Sequence, residues 1–235
     1  LSLILKRNPD IAAIVAEPIS ATPVIPSPYY WNQIREICDQ YGIFLIFDEI
    51  IEGFGRTGKW FACEHFVTPD VLVLGKTLGG GLMPFAGIVT KEAYNTLQHR
   101  SIGHFTHEKN PLCSIAGLTT INYIEKHDLV ENSAVLGAYL LEGLSELQNE
   151  FSAIGNVAGK GLHLGVDLVT DRQSKLRADD FAEKIMYDCF RQGIAMKVIE
   201  GNILTFRPSL VITKQHCNDI IDALRIALSR NNFNS

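Results

Sequence analysis

The chain has 235 residues, 46% of them hydrophobic and 20% charged, which is enough apolar material for one large domain or two small ones and too much for a disordered tail. A formal charge of −5 without any long Lys/Arg cluster gives no electrostatic footing for nucleic acid or an anionic membrane surface, so a small-molecule partner is expected. The five cysteines are widely spaced and in no CxxC pair, which argues against a disulfide framework or a zinc site and makes a reducing, cytoplasmic setting the expectation.

The chain lacks an initiator Met and opens in what reads as a helix, Leu1 to Lys6, so it is expected to begin inside a longer protein. Ile11 to Ala16 and Ile43 to Phe47 are apolar runs of strand length, the first followed by Glu17 and the second by Asp48 and Glu49. Between them, Pro28 to Tyr41 carries Trp31, Ile34, Ile37 and Cys38 at helical spacing, with Gly42 as a C-terminal cap. Val71 to Leu74 is a third run, leading into Gly75 and Lys76. This alternation predicts parallel strands linked by helices, an α/β architecture that carries ligands at the carboxyl ends of its strands. Pro111 to Ile124 and Leu129 to Leu147 read as helices, the second long enough to bridge two domains. Val157 to Val169 is strand-like and Gly-rich, Ala178 to Arg191 helical, Ile194 to Val198 and Ile203 to Phe206 strand-like, and Gln215 to Ser229 helical. That succession predicts a small α+β domain over 151–235 beside an α/β part over 1–150.

Three features follow one another: the strand end Ile46 to Ile50 with Asp48 and Glu49, the run Gly53 to Gly58 with Arg56, and Gly75-Lys76-Thr77-Leu78-Gly79-Gly80-Gly81. Each alone has a plain reading as a solvated turn, a lysine reaching for water or a tight bend. Together they describe a pyridoxal-phosphate site. A lysine in a dry pocket gives up its proton more readily and can form a Schiff base with an aldehyde, which makes Lys76 the candidate. The pyridine nitrogen must stay protonated for the ring to draw electrons, and Asp48 suits that task. The glycines after Lys76 let backbone pass close to the cofactor.

Ala16-Glu17-Pro18-Ile19, Arg35-Glu36-Ile37-Cys38, Tyr41-Gly42-Ile43, the Asp48 to Gly58 run, Pro69-Asp70 and the Lys76 segment are similar, in order and spacing, to the class III aminotransferases. His107 to Pro111, Gly159-Lys160-Gly161-Leu162 and Arg207-Pro208-Ser209-Leu210-Val211 continue the likeness over nearly the whole chain. The resemblance implies a fold-type-I transferase of which 1–150 is the C-terminal part of the large cofactor-binding domain with an interdomain helix. It implies pyridoxal 5'-phosphate as cofactor, Lys76 as the Schiff-base lysine, Asp48 as partner of the pyridinium nitrogen and Ile50, on the same strand face, as the residue packing on the ring. Thr106 matches the threonine that reaches the cofactor phosphate of the neighbouring subunit in a homodimer. Glu17 and Arg56 match supporting positions near Asp48, where a buried salt bridge is an equal reading. The implied reaction moves an amino group from an amine or amino acid to a 2-oxo acid.

Several positions depart from the family pattern. Ile51 stands where many members carry glutamine, which points to a subgroup acting on ω-amino acids and other amines. Ser20 to Val24 is shorter than the substrate loop of the ornithine-type enzymes. Those enzymes have an arginine at the position of Thr205, whereas this chain has Arg207 two residues on, a fork for a substrate carboxylate or a structural pairing. The family's N-terminal phosphate cradle and stacking aromatic have no counterpart before Glu17. Racemisation or epimerisation, lyase chemistry, and a non-catalytic fragment remain open beside amino transfer.

Overall fold

Three short apolar runs build the first sheet. In the computed structural model, which describes residues 1–97, 99–100, 103, 106 and 110–231, β1 (Ala13–Ala16), β2 (Phe44–Asp48), β3 (Val71–Leu74) and β4 (Gly87–Thr90) lie side by side in that order. β1 with β2 and β2 with β3 are parallel, while β4 runs antiparallel to β3. β4 had no sequence signal, because its side chains are exposed and show no alternation.

The amphipathic helix α2 (Tyr30–Tyr41) follows α1 (Ser2–Arg7) and closes the core of this sheet. Trp31 and Cys38 of α2 are buried with Leu5, Ile43, Leu45, Phe47 and Cys63. The Trp31 ring meets Phe47 edge-on at 4.6 Å, and its Nε1 donates to the Pro18 carbonyl at 2.8 Å, so a large aromatic is buried without an orphaned donor. Gly42 ends the helix in the left-handed conformation (φ 65°), as its place in the sequence predicts. Asn110 caps α3 (Pro111–Lys126) by accepting from the Leu112 amide at 3.0 Å.

These elements fall in one compact unit, made of Leu1–Ile19, Pro26–Phe54 and Lys59–Asp128; a second holds Ser20–Ile25, Gly55–Gly58 and Leu129 onward. The second unit contains α4 (Leu129–Glu150), β5 (Ile154–Lys160), β6 (His163–Asp171), β7 (Leu176–Arg177), α5 (Asp179–Arg191), β8 (Lys197–Ile199), β9 (Ile203–Phe206) and α6 (Lys214–Arg230). Its sheet is antiparallel in the order β5-β6-β9-β8, with β7 beside β6.

Two details differ from the sequence reading. The single strand-like run over Val157 to Val169 is a hairpin that turns between Lys160 and His163, where Gly161 takes φ 55°. Helix α4, read as a bridge, belongs to the second unit, because Leu140, Leu144 and Leu147 are fully buried there. A side chain at Gly143 would also collide with Ile221 of α6, its Cβ lying 2.2 Å from Cδ1. No helix among the described residues is long and apolar enough to cross a membrane.

Candidate active site

Parallel pairing brings three of the sequence-derived residues to one edge. Glu17 directly follows β1, Asp48 ends β2, and Lys76 comes two residues after β3, with Ala16 opposite Phe47 and Asp48 opposite Val73. All three therefore stand at the carboxyl ends of adjacent strands, where an open parallel sheet holds ligands.

Lys76 opens a 3-10 turn, Lys76–Gly79, with φ 42°. A non-glycine residue in that region costs on the order of 1 kcal/mol and persists only where its surroundings impose it, which is common at functional sites. Gly80 (φ 65°) closes the turn, and a Cβ there would lie 2.5 Å from the Thr120 hydroxyl of α3, so α3 holds the turn by close backbone approach. Lys76 itself is exposed. The strand stops at Leu74, and the turn carries Lys76 out from the sheet.

The acidic pair after β2 divides its labour. Asp48 is half-buried; its Oδ1 accepts from the Ile50 amide at 3.0 Å, and its other oxygen takes no hydrogen bond among the described residues. Glu49 is buried, accepts from the amides of Ala62 at 2.6 Å and Cys63 at 2.7 Å, and has its carboxyl pushed up by burial. Asp48 is therefore the carboxylate available to a ligand, and Glu49 anchors a turn.

Ile50 does not share a strand face with Asp48, because β2 ends at Asp48 and Ile50 lies in the following turn. It nevertheless stands beside the lysine segment: a Cβ on Gly75 would sit 3.5 Å from Ile50 Cγ1. An aliphatic side chain beside the lysine segment and a half-buried carboxylate with an open oxygen on the same sheet edge fit a pyridoxal ring, and an exposed amine fits its aldehyde. Glu17 is half-buried. Thr106 is exposed; Gly103 and Asn110 are the other described residues of its segment, and His104, Phe105 and His107 lie outside the described residues.

The second unit gathers a different group. Gly58, Gly137 and Gly161 let three backbones touch: a Cβ on Gly161 would lie 2.4 Å from the Thr57 carbonyl carbon, and one on Gly137 would lie 2.2 Å from Gly161. This contact fixes Arg56, whose carbonyl accepts from Leu162 N at 2.9 Å and from the Ser133 hydroxyl at 2.9 Å. The Arg56 guanidinium donates to the carbonyls of Leu162 (3.4 Å) and Pro208. No described carboxylate pairs with it, which corrects the salt-bridge reading. Burial and the nearby Arg207 bring its pKa down to about 10.

Arg207 lies one residue beyond β9, so the argument that it shares a strand face with Thr205 does not hold. Its Nη2 donates to the Ala21 carbonyl, and its Nε donates to His163 Nδ1 at 3.1 Å. His163 is fully buried and its Nε2 lies 3.0 Å from the Ser20 carbonyl. Since Nδ1 accepts from an arginine, the proton belongs on Nε2, which donates to Ser20. Burial, chiefly, together with the charges of Arg207 and Arg56, holds the imidazole at about 4, so it is neutral at neutral pH. Sequence reasoning missed His163; its one signal was a polar ring between Leu162 and Leu164 in an apolar run, which more often marks a satisfied core residue.

The model of the aminotransferase class-III family matches residues 1–228. The chain is 39% identical over 98% of its length to the (R)-1-hydroxy-2-aminoethylphosphonate ammonia-lyase of Vibrio splendidus (strain 12B01), covering 48% of that protein. It is 41% identical over 93% of its length to the leucine/methionine racemase of Thermococcus litoralis, covering 50% of it. Among solved structures, an amine transaminase from an uncultivated Pseudomonas species in its PLP-bound form superposes with a TM-score of 0.91 at 30% identity, over 97% of this chain and 54% of that one. The chain thus spans about half the length of the curated relatives it matches. The fold is that of the fold-type-I pyridoxal-phosphate transaminases, the family works with pyridoxal 5'-phosphate, and the chain belongs to the class III aminotransferase family.

Proposed function

We propose that the protein of which this chain is part is a pyridoxal-phosphate-dependent aminotransferase, moving an amino group from an amine or amino acid to a 2-oxo acid. The observation that carries this reading is the pairing of Asp48 and Lys76 at the same end of adjacent parallel strands, with Lys76 in a left-handed turn. Bound pyridoxal phosphate supplies an electron sink for a carbanion at the carbon bearing the nitrogen. Lys76 Nζ would hold the cofactor and would serve as the base and acid that moves a proton at the substrate carbon. Asp48 would keep the ring nitrogen protonated through its open oxygen. Ile50 packs on the ring, Glu17 supports the same edge, and Arg207 offers its fork to a substrate carboxylate. The working unit is a homodimer in which Thr106 of one copy reaches the cofactor phosphate in the other, as an isologous interface allows.

A second reading has a specific observation in its favour. Two of the most similar curated relatives are named as an ammonia-lyase and a racemase, and the same residues start those reactions too. Product analysis with and without a 2-oxo acid separates them. A transaminase consumes the amine only when the acceptor is present and returns a new amino acid. Ammonia release or loss of optical activity without any acceptor would overturn amino transfer as the reaction.

A further inference from the structure

The carboxylate next to Asp48 is built in differently from Asp48 itself. Glu49 is 1% exposed and takes a backbone amide on each oxygen, Ala62 N on Oε2 at 2.6 Å and Cys63 N on Oε1 at 2.7 Å, with the Cys63 thiol as a further donor. Short amide bonds to both oxygens of a carboxylate fix its position and its plane together. Burial works against the charge and pushes the carboxyl up, so the arrangement is held against a desolvation penalty.

The 3-10 turn over Ala62–His65 needs partners for its first amides, and a local side chain can provide them. Glu64 does so for Phe61 N at 2.7 Å, three residues away. The next two amides go instead to a residue 13 and 14 positions upstream, which makes the cap a link between the end of β2 and the 61–65 segment. The Phe54 ring, on a residue with φ 59°, adds to this link by meeting Phe61 edge-on at 5.8 Å.

The link holds the turn that carries two site residues. Glu49 N donates to the Val73 carbonyl at 2.9 Å, and the Glu49 carbonyl accepts from Gly53 N at 3.0 Å, so residues 49–53 fold back on Glu49. A Cβ on Gly53 would lie 3.0 Å from that carbonyl, so the turn is tightly closed. Ile50 N, inside the turn, donates to Asp48 Oδ1 at 3.0 Å and thereby sets which oxygen of Asp48 stays open. The Ile50 side chain lies beside Gly75, next to Lys76. Every residue in this series of contacts belongs to the first unit.

We propose that Glu49 is the positioning residue for Asp48 and Ile50: its clamp on the Ala62 and Cys63 amides holds the 49–53 turn, and the Ile50 amide of that turn aims the open Asp48 oxygen at the cofactor's ring nitrogen. This rests on the reading of Asp48 as the partner of that nitrogen.

The test uses the full-length protein, first without cofactor and then loaded with pyridoxal phosphate labelled isotopically at the ring nitrogen. Glu49→Gln keeps the size of the side chain but turns an NH2 group toward one of the two amides. Without cofactor, hydrogen exchange at the Ile50 amide rises about tenfold or more in this variant. In the loaded protein, nitrogen NMR shows the ring giving up its proton about one pH unit or more lower, in Glu49→Gln as in Asp48→Asn, while the cofactor stays fixed to Lys76. Glu49→Asp keeps the charge but stops one carbon short of the amides, so it moves both readouts in the same direction. Cys38→Ala, which opens a gap in the core of the same unit, lowers the unfolding midpoint and moves neither readout; a merely structural Glu49 would behave like it.

Unchanged Ile50 exchange in the Glu49 variants overturns the proposal. So does a ring nitrogen that responds to Asp48→Asn but not to the Glu49 variants, or one that responds to Glu49→Gln but not to Glu49→Asp, which would mark an effect of charge alone. If Glu49→Gln does not fold, Glu49→Asp decides by the same two readouts. Faster Ile50 exchange beside a ring nitrogen that neither Asp48→Asn nor the Glu49 variants move would sink the reading of Asp48 and leave Glu49 as the residue that holds its carboxylate in place.

Discussion

In the first unit, Glu17, Asp48 and Lys76 come to one edge because consecutive strands run parallel, so their neighbourhood follows from chain order alone. In the second, Arg56, His163 and Arg207 meet although their sequence separations exceed 40 residues, Arg207 reaching His163 at |i−j| of 44 and Arg56 reaching Pro208 at 152. The first group stands on a backbone that presents side chains outward; the second hangs on carbonyls and on glycines that let three chain segments touch. A regular sheet makes a site readable from local motifs, whereas a site built on irregular segments needs the fold.

The largest effect separates the two groups by chemistry. Lys76→Ala removes the amine that holds the cofactor, so turnover falls by about 10³-fold or more, and borohydride reduction no longer fixes the cofactor to the Lys76 peptide. Labelling of another lysine in the wild-type protein would refute the assignment. Asp48→Ala leaves the cofactor attached and costs most of the turnover, because the ring nitrogen loses its counter-charge. Near-normal turnover with cofactor bound would show that the open oxygen of Asp48 has no such partner.

A stability effect comes next and concerns the second group. Gly161→Ala puts a Cβ 2.4 Å from the Thr57 carbonyl carbon at φ 55°, and no flexible side chain is there to yield. The expected loss is about 3 kcal/mol in denaturant unfolding. A loss below about 1 kcal/mol would mean that the three backbones are not in the contact described.

The same contrast explains what the sequence made legible. Helix α2 was readable because Trp31, Ile34 and Cys38 repeat at the helical period and Gly42 can adopt φ 65°. Strands β1 to β3 were readable as apolar runs. The hairpin at Gly161 was not, because Gly-rich strands on both sides hide a two-residue turn, nor was β4, which is exposed throughout. Among site residues, Lys76 and Asp48 carried motif signals. Ile50 lies beside the lysine segment for a reason other than strand alternation, and the hydrogen bond of Arg56 to the Pro208 carbonyl had no local mark at all. His163 was hidden because a buried histidine whose hydrogen bonds lie 143 and 44 residues away in sequence leaves no local pattern.

A smaller effect is expected from pH in the second unit. His163 titrates at 6.5 in the unfolded chain and at about 4 when folded, facing Arg207 and Arg56. Between those values only the unfolded state takes the proton, so the second unit loses stability as pH falls from about 6.5 toward 4, by at most about 3 kcal/mol. His163→Gln flattens this part of the stability curve. An unchanged slope would show that the imidazole is not held neutral.

The smallest effect belongs to the first unit and lies lower on the pH scale. Burial would raise the Asp70 carboxyl, but the Leu45 amide at 2.8 Å, Arg35 at 2.8 Å and the Tyr94 hydroxyl at 3.2 Å together hold it below its ordinary 3.8. A depressed carboxyl stabilises the fold above its unfolded value and loses that contribution as pH drops through the folded value, so the loss begins only below about pH 4. Arg35 and Asp70 are partly open to solvent, and such a pair contributes under about 1 kcal/mol. Asp70→Asn should therefore cost little at pH 7 and remove a shallow acid limb, read by hydrogen exchange at the β2 amides. Against His163, this gives two separate windows: exchange in β6 and β9 rises first, from about pH 6 downward, while β2 stays protected until pH falls below about 4. Simultaneous loss of protection in both units at one pH would show that the two charge clusters do not report on their own units, and would erase the distinction drawn between them.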